Sequence, residues 1–231
     1  RSRLSKRLPG ASRVRARSCG LRMRTCSGWE ARRRTPRGSR RGGLLHLRPD
    51  ARLPVTDWSI VVPFRAAGAK SRFGSGDNSA LALAMALDTV DVALRVGRVI
   101  VVTSDAQPFV ELGASVIADP GAGLNAAITA GLDSADSGTA GLDTARAVLL
   151  GDHPALTPHE LAEALAAAGQ HPLSFVADAE GEGTALTAAA PGVPQAPLFG
   201  RGSAGSHRAA GFVPLVGAWP GLRRDVDTAA D

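Results

Sequence analysis

Residues 59–63 read Ser-Ile-Val-Val-Pro, and residues 98–103 read Arg-Val-Ile-Val-Val-Thr. Each is a short, continuous run of apolar, mostly β-branched residues, which is typical of a strand buried on both faces. The segment between them begins after Asn78, a good helix N-cap, and is apolar on a broad face from Leu81 to Leu94. A helix between two such strands indicates that the strands lie parallel in one sheet.

The same alternation of strands and helices continues along the chain. Further strands are predicted at residues 115–118, 147–151, 173–177, 184–189 and 212–216. Further helices are predicted at residues 107–112, 124–132, 157–168 and 202–210, with a capping box at the start of the third and a linker over 134–144. We therefore predict an α/β domain, with a mostly parallel central sheet and helices on both faces.

The chain divides into two parts of opposite charge. Residues 1–56 contain 17 of the 27 Lys and Arg residues but 2 of the 21 Asp and Glu residues, a net charge of +15. Residues 57–231 contain the remainder and have a net charge of −9. We therefore predict a basic leader without regular structure over residues 1–56, joined to an acidic domain over residues 57–231.

The leader admits three interpretations. It could bind nucleic acid, it could be an organellar targeting peptide, or it could be translated sequence upstream of the true start. We favour the third, because the chain begins with Arg and Met23 lies well upstream of the first strand. Nucleic acid is not an expected partner, since Trp29 is the leader's one aromatic residue and base stacking would be poor.

Cysteine usage and hydropathy bear on the compartment. Both cysteines, Cys19 and Cys26, lie in the leader, so the domain has no disulfide, and a cytoplasmic location is expected. The chain has no run of about 18 apolar residues, so no membrane span is expected.

A basic loop follows the first predicted strand. It contains Arg65, Lys70 and Arg72, which are three of the domain's ten positive charges and include its one lysine. In an acidic domain, this concentration predicts a nucleoside triphosphate site, because cations neutralise the charge that builds on leaving pyrophosphate. The alternative is a solvated basic loop, and the spacing of a Walker A motif is absent.

Three carboxylates are placed to hold a divalent metal. Asp152 directly follows a predicted strand, and Asp225 and Asp227 stand one residue apart after two arginines. In an extended segment, residues i and i+2 point to the same side, so both carboxylates can converge. Mg2+ prefers oxygen ligands, and arginine suits phosphate. The alternative is that Asp152 starts a turn and that the other two lie in a polar surface turn.

Two glycine-rich segments predict a second anion site. They are Gly181-Glu-Gly-Thr184 and Phe199-Gly-Arg-Gly-Ser-Ala-Gly-Ser-His207. Glycines beside a hydroxyl residue at a helix N-terminus can present backbone N–H groups to a phosphate or carboxylate. His207 and Arg208 either line this pocket or face solvent. No nucleophile-elbow, zinc or dinucleotide-binding motif occurs, so those functions lack support.

From about Trp58 onwards, these residues in this order resemble the guanylyltransferases of coenzyme F420 biosynthesis, which act on 2-phospho-L-lactate or phosphoenolpyruvate. The most specific match is Trp219-Pro-Gly-Leu-Arg-Arg-Asp-Val-Asp-Thr228. Shorter matches include Ala-Lys-Ser-Arg72, Ala-Gly-Leu-Asn-Ala-Ala127 and Phe-Val-Ala-Asp178. The resemblance implies a GT-A-like nucleotidyltransferase fold, that of the nucleotide-diphospho-sugar transferases, and Mg2+ as cofactor.

The resemblance also implies a role for each matching residue. Mg2+ would be held by Asp152, Asp225 and Asp227. The acceptor would be bound by Thr184, Gly200 and Ser203. Lys70 and Arg72 would act catalytically on the GTP phosphates. The rest of the nucleotide site would consist of Gly123, Asn125 and Arg65, which replaces the family's usual Lys.

The implied reaction transfers GMP from GTP to the phosphate of phosphoenolpyruvate or 2-phospho-L-lactate and releases diphosphate. The actinobacterial resemblance favours phosphoenolpyruvate. The acceptor's phosphate, with a second pKa of about 6, is mostly dianionic at neutral pH, so no general base is required. Glu182 departs from the family's pattern and would place an anion near an anionic substrate.

Two other functions stay open. One is a related GT-A-type nucleotidyltransferase, such as a molybdopterin guanylyltransferase or a sugar-phosphate enzyme. The other is a non-enzymatic protein that binds nucleotide or nucleic acid through the basic leader. The oligomeric state is also open, with a homodimer as the default expectation.

Overall fold

The computed structural model of the protein describes residues 57–65, 78–137 and 144–226. The predicted leader and three predicted site residues, Lys70, Arg72 and Asp227, lie outside these ranges. The strands are β1 (Trp58–Pro63), β2 (Arg98–Thr103), β3 (Ser115–Ala118), β4 (Ala145–Leu149), β5 (Leu173–Ala177), β6 (Thr184–Ala189) and β7 (Val213–Pro214). The helices are α1 (Ser79–Leu94), α2 (Gln107–Glu111), α3 (Leu124–Ser137), α4 (Pro158–Ala168), α5 (Ser203–Ala209) and α6 (Pro220–Arg223).

The strands form one sheet in the order β3-β2-β1-β4-β6-β5-β7. The pairs β1–β2, β1–β4, β2–β3 and β5–β7 are parallel, which confirms the predicted mostly parallel sheet. β6 lies between β4 and β5 and runs antiparallel to both. Because β6 is reversed, its first residue, Thr184, lies at the edge of the sheet where β4 and β5 end.

Helices cover both faces of the sheet, as predicted. Ile60 belongs to a core with side chains from α1 and α4. Its neighbour Val61 faces the other way and packs in a second core with Ile128 of α3. Strand pairing places Val61 and Phe175 in one row across the sheet, and Phe175 packs with Ala204 of α5. Each such fully buried side chain stabilises the fold by about 1.5–3 kcal/mol.

The predicted capping box is confirmed at the start of α4. The Thr157 hydroxyl accepts a hydrogen bond from the Glu160 N–H at 3.2 Å, and the Glu160 carboxylate accepts one from the Thr157 N–H at 3.0 Å. None of the helices in the described ranges combines the length and the apolar composition that crossing a membrane requires.

Some element boundaries differ from the predicted ones. β4 begins at Ala145 rather than at residue 147, because its first residues pair with β1. α3 extends to Ser137, since Ala135 is buried, so residues 134–137 of the predicted linker are helical. β7 has two residues instead of five, Val213 and Pro214, which pair with Ser174 and Phe175 of β5.

Candidate active site

A cavity of about 200 Å3 lies at the sheet edge where β4 ends and β6 begins. It is lined by the three predicted acceptor-binding residues, Thr184, Gly200 and Ser203, and by Asp225, a predicted metal ligand. The other lining residues are Leu124, Leu150, His153, Asp178, Gly183, Ala185 and Phe199. Pockets for drug-sized ligands measure roughly 300–1,000 Å3, so this cavity suits a small ligand.

The reversed strand brings Thr184 to this edge. Leu149 of β4 pairs with Leu186 of β6, and the N–H of Leu150 donates to the carbonyl of Ala185 at 3.3 Å. The chain leaving β4 towards Asp152 therefore runs beside the chain entering β6 at Thr184. The rule that ligands lie beyond the carboxyl ends of parallel strands does not find Thr184, because this residue begins a strand.

The turn between β5 and β6 is held by one carboxylate. Asp178 accepts hydrogen bonds from the backbone N–H groups of Glu182, at 3.0 Å, and Gly183, at 2.6 Å. A Cβ atom on Gly183 would lie 2.2 Å from the Asp178 carboxylate, so a side chain there would displace that carboxylate. Glu182 is exposed and is not among the residues that line the cavity.

The second glycine-rich segment forms a tight turn before α5. Gly200 and Gly202 have φ angles of +138° and +68°, which glycine adopts without strain. The predicted anion pocket of backbone N–H groups is not formed by the first two helical residues. The N–H of Ser203 donates to the Gly200 carbonyl and that of Ala204 to the Glu182 carbonyl, both at 3.1 Å.

Asn125 ties this turn to α3. Its side-chain N–H donates to the Phe199 carbonyl, and its side-chain oxygen accepts from the Phe199 N–H, both at 3.0 Å. The two hydrogen bonds connect residues 74 positions apart in the chain. The structure thus shows how Asn125 fixes the turn that carries Gly200, while its predicted place beside the nucleotide stays a prediction.

The Thr184 and Ser203 hydroxyls form a buried pair in the cavity wall. The Ser203 hydroxyl donates to the Thr184 oxygen at 3.0 Å, and His207 Nδ1 lies 3.0 Å from that same oxygen. Thr184 is 5% exposed, Ser203 2% and His207 fully buried. The sequence left His207 either in the pocket wall or facing solvent. The structure places it behind the wall.

The chain segment after β7 carries Asp225 and is attached to the domain at several points. The Gly221 N–H donates to the Glu160 carboxylate at 2.8 Å, and the Trp219 indole N–H donates to Glu163 at 3.3 Å. Further along, the Val226 N–H donates to the Asp152 carbonyl at 3.1 Å. These hydrogen bonds hold Asp225 against the cavity and beside Asp152.

Arg223 contributes to the same attachment. Its guanidinium donates to the carbonyls of Ala177, at 3.2 Å, and Asp178, at 3.1 Å, at the end of β5. The sequence interpretation of the paired arginines was a phosphate site. In the structure, Arg223 satisfies two backbone acceptors at the sheet edge, and the phosphate interpretation of the paired arginines stays a prediction.

His153, which directly follows Asp152 in the loop after β4, is also buried at this edge. It is 1% exposed, with Nε2 3.6 Å from an Asp152 carboxylate oxygen and Nδ1 3.4 Å from the Arg224 carbonyl. The contact with Asp152 joins neighbours in the sequence, whereas the contact with Arg224 spans 71 positions and depends on tertiary packing.

The donor set suits a hard divalent cation in part. The Val226 N–H donates to the Asp152 carbonyl, so Asp152 and Asp225 lie on adjacent chain segments, and carboxylate oxygens are the ligands that Mg2+ prefers. Within residues 57–65, 78–137 and 144–226, no three side chains form a complete metal-binding group. The predicted third ligand, Asp227, follows directly after the last described residue.

A smaller cavity of about 130 Å3 lies at the ends of β1 and β2, and Arg65 and Gly123 line it. The Arg65 guanidinium donates to the Asp119 carboxylate at 2.8 and 2.9 Å. A hydrogen bond from the Gly121 N–H lowers the pKa of Asp119 and Arg65 lowers it further, whereas burial opposes them. Gly123 has a φ of +99°, which favours glycine at the turn into α3.

Comparison with known proteins gives close relatives. No model of a known protein family matches the chain. The phosphoenolpyruvate guanylyltransferase of Salinispora arenicola is 47% identical, over 75% of this chain and 85% of the relative. The protein of the same name from Streptomyces coelicolor is 48% identical, over 75% of this chain and 87% of the relative.

Solved structures agree on the fold. A protein of Desulfovibrio desulfuricans G20 assigned to the nucleotide-diphospho-sugar transferases has a TM-score of 0.56 at 18% identity, covering 74% of this chain and 82% of its own. The 4-diphosphocytidyl-2C-methyl-D-erythritol synthase of Anaerococcus prevotii has a TM-score of 0.51 at 10% identity, covering 76% and 94%. The predicted GT-A-like fold is confirmed. Identity of nearly half, over three quarters of the sequence, shows that this chain belongs to the phosphoenolpyruvate guanylyltransferase family of nucleotidyltransferases.

Proposed function

We propose that this protein transfers GMP from GTP to the phosphate of phosphoenolpyruvate, as a step of coenzyme F420 biosynthesis. The products would be enolpyruvoyl-2-diphospho-5'-guanosine and diphosphate, and 2-phospho-L-lactate is the alternative acceptor. The observation that carries the proposal is the small cavity that the hydroxyl-paired Thr184 and Ser203 line together with Asp225. The names of the relatives support the choice of phosphoenolpyruvate.

The acceptor fits the larger cavity by size and by chemistry. Buried hydroxyl groups can donate to a phosphate or carboxylate oxygen, and Leu124, Leu150 and Phe199 offer apolar contacts to a three-carbon skeleton. The cavity is too small for the acceptor and a whole nucleotide together. We therefore propose that the nucleotide lies towards the smaller cavity, which Arg65 lines, and that Lys70 and Arg72 supply positive charge to its phosphates.

The chemistry requires alignment more than acid–base catalysis. A phosphate oxygen of the acceptor forms a bond to the α-phosphorus of GTP, while the bond from that phosphorus to the bridging oxygen breaks and diphosphate leaves. We propose that Thr184 and Ser203 hold the acceptor, which fixes its phosphate in line with the nucleotide. The cationic loop would stabilise the leaving diphosphate.

We propose that Mg2+ is held by Asp152, Asp225 and Asp227. When bound, it would neutralise charge on the transferring phosphates. The adjacent chain segments of Asp152 and Asp225 support this assignment, since carboxylate oxygens are the ligands that Mg2+ prefers. Asp225 is held in place by the hydrogen bonds of its own segment rather than by metal alone.

Diphosphate release by the full chain tests the proposal. With GTP and Mg2+, we expect turnover with phosphoenolpyruvate, and the comparison extends to 2-phospho-L-lactate, to molybdopterin and to ATP as donor. Asp225→Asn should abolish turnover without changing the melting temperature. The matched control is Asp91→Asn, which removes an exposed carboxylate paired with Arg95 on α1 and should leave the rate unchanged. Turnover with molybdopterin alone, or full activity of Asp225→Asn, would contradict the proposal.

A further inference from the structure

His207 is a buried histidine without a role in the reaction as proposed above. It is fully buried in α5, and three aromatic rings enclose it, with centroids 5.0 Å (Phe212), 5.1 Å (Phe199) and 5.9 Å (Phe175) from its own. It is not among the residues that line the cavity, so it does not touch a ligand there. Any contribution to binding must pass through a neighbouring group.

That neighbour is Thr184. His207 Nδ1 lies 3.0 Å from the Thr184 hydroxyl oxygen, which also accepts from the Ser203 hydroxyl at 3.0 Å. Both hydroxyl residues line the cavity, and Nε2 of His207 has no hydrogen-bond partner among the described residues. The ring's polar contact is therefore directed at the wall of the acceptor cavity.

The tautomer of His207 decides what the cavity offers to a ligand. A hydroxyl group has one proton and two lone pairs. If Nδ1 carries no proton, the Thr184 proton must point to it, and both hydroxyl protons are then used inside the wall. If Nδ1 carries the proton, Thr184 accepts from His207 and from Ser203, and its own proton is available to a ligand in the cavity that Thr184 lines.

An anionic ligand distinguishes the two arrangements. The oxygens of a phosphate or an ionised carboxylate only accept hydrogen bonds. A wall that presents lone pairs would repel them, whereas a wall that presents the Thr184 proton would bind them through a charge-assisted hydrogen bond.

We propose that His207 is a positioning residue of the acceptor site: with its proton on Nδ1, it donates to Thr184 and thereby directs the Thr184 hydroxyl proton towards an anionic ligand. The anion's identity as the acceptor of GMP rests on the proposed function. Burial lowers the pKa of His207 below its usual 6.5, which keeps the ring neutral at neutral pH. A hydrogen bond with the Ser203 backbone acts in the opposite direction on this pKa, and it favours a ring N–H beside that backbone.

Three substitutions separate donation from packing. Asn carries an N–H close to the position of Nδ1, Gln carries one nearer to Nε2, and Phe keeps an aromatic ring without a donor. Because a hydrogen bond to a charged group is at stake, we expect His207→Phe and His207→Gln to raise KM for phosphoenolpyruvate by about 10- to 100-fold. We expect His207→Asn to stay within about threefold of the parent. KM for GTP should not change in any of them.

Two further variants test whether the effect on KM passes through Thr184 and whether it is specific to His207. Thr184→Val removes the hydroxyl, so adding His207→Phe to it should raise KM for the acceptor no further. His159→Asn, on an exposed histidine of α4 with 82% of its side chain accessible, is the matched control and should behave as the parent does. Equal losses in the Asn, Gln and Phe variants would show that His207 acts through packing, and would overturn the proposal.

A readout that does not depend on turnover comes from nitrogen-15 NMR of the full chain with labelled histidine. The spectrum reports which ring nitrogen carries the proton, and the signals that vanish in His207→Asn identify His207. Protonated Nδ1 supports the proposal even if no acceptor is turned over, in which case the proposed function fails by itself. A bare Nδ1 overturns the proposal even if the enzyme is active.

Discussion

Gly221→Ala tests how the segment that carries Asp225 is held in place. A Cβ atom at this position would lie 2.2 Å from the Ala155 carbonyl oxygen and 2.7 Å from the Glu160 carboxylate. The Glu160 side chain could move, but the Ala155 carbonyl belongs to the backbone and cannot. The segment must therefore move away from the domain, which also lengthens the 2.8 Å hydrogen bond from the Gly221 N–H to Glu160.

The cost follows from those two effects. Overpacking costs about 1–3 kcal/mol, and a weakened hydrogen bond to a charged group adds to it, so we expect a loss of about 2–5 kcal/mol in the free energy of unfolding. In a domain of this size, that lowers the melting temperature by about 5–15 °C. Activity should fall as well, because Asp225 follows Gly221 by four residues and moves with it.

Thermal melts and diphosphate release, measured well below both melting temperatures, separate the two losses. Gly205→Ala is the matched control, because an added Cβ there meets nothing within 4 Å and the position is helical. It should stabilise the chain by roughly 0.5–1 kcal/mol. If Gly221→Ala kept the parent's melting temperature and rate, the close contact at Ala155 would not be what holds Asp225 at the cavity.

Three shorter predictions concern His207, Asn125 and an ion pair near the start of β4. Because folding lowers the pKa of His207 from 6.5, the unfolded chain binds a proton at this residue at a higher pH than the folded chain does. The free energy of unfolding, measured in denaturant titrations, should therefore decrease as the pH falls below 6.5, and this decrease should be absent in His207→Phe. Asn125→Leu removes both hydrogen bonds to Phe199 and should lower the free energy of unfolding by about 1–3 kcal/mol and raise KM for the acceptor. If both values stayed unchanged, Asn125 would not be what fixes the turn that carries Gly200. Arg146→Leu breaks a largely buried pair with Asp136 and should cost about 3–5 kcal/mol by denaturant unfolding, whereas a neutral result would show that the pair is not needed.

The arrangement separates the groups that contact a ligand from those that orient them. Thr184, Ser203 and Asp225 line the cavity, and each is held by a residue further from it. His207 supports the hydroxyl pair, and Glu160 both caps α4 and anchors the segment of Asp225. Substitutions at such supporting positions are expected to change binding and rate without direct contact, because reacting groups that are misplaced by about 1 Å lose much of their effect.

Local sequence determined the elements of this fold. Continuous apolar runs at β1 and β2, and the capping box at Thr157, depend on neighbours within a few positions, so they could be predicted from the chain alone. The place of Asp152 was also predictable, because a polar residue that follows a buried strand must lie at the edge of a sheet. The resemblance then indicated that Thr184 and Ser203 bind the acceptor substrate, without showing that their hydroxyls lie in contact.

Tertiary structure alone decided which of these residues lie side by side. β6 inserts antiparallel between β4 and β5, which brings Thr184 to the edge where Asp152 lies, and no short-range pattern encodes strand order or direction. His207 and the Thr184 that it contacts are 23 positions apart in the chain, and the hydrogen bonds between Asn125 and Phe199 join residues 74 positions apart. Contacts between positions so far apart depend on how whole elements pack, since the free energy of packing comes from all the surfaces they bury and not from the residues that happen to meet.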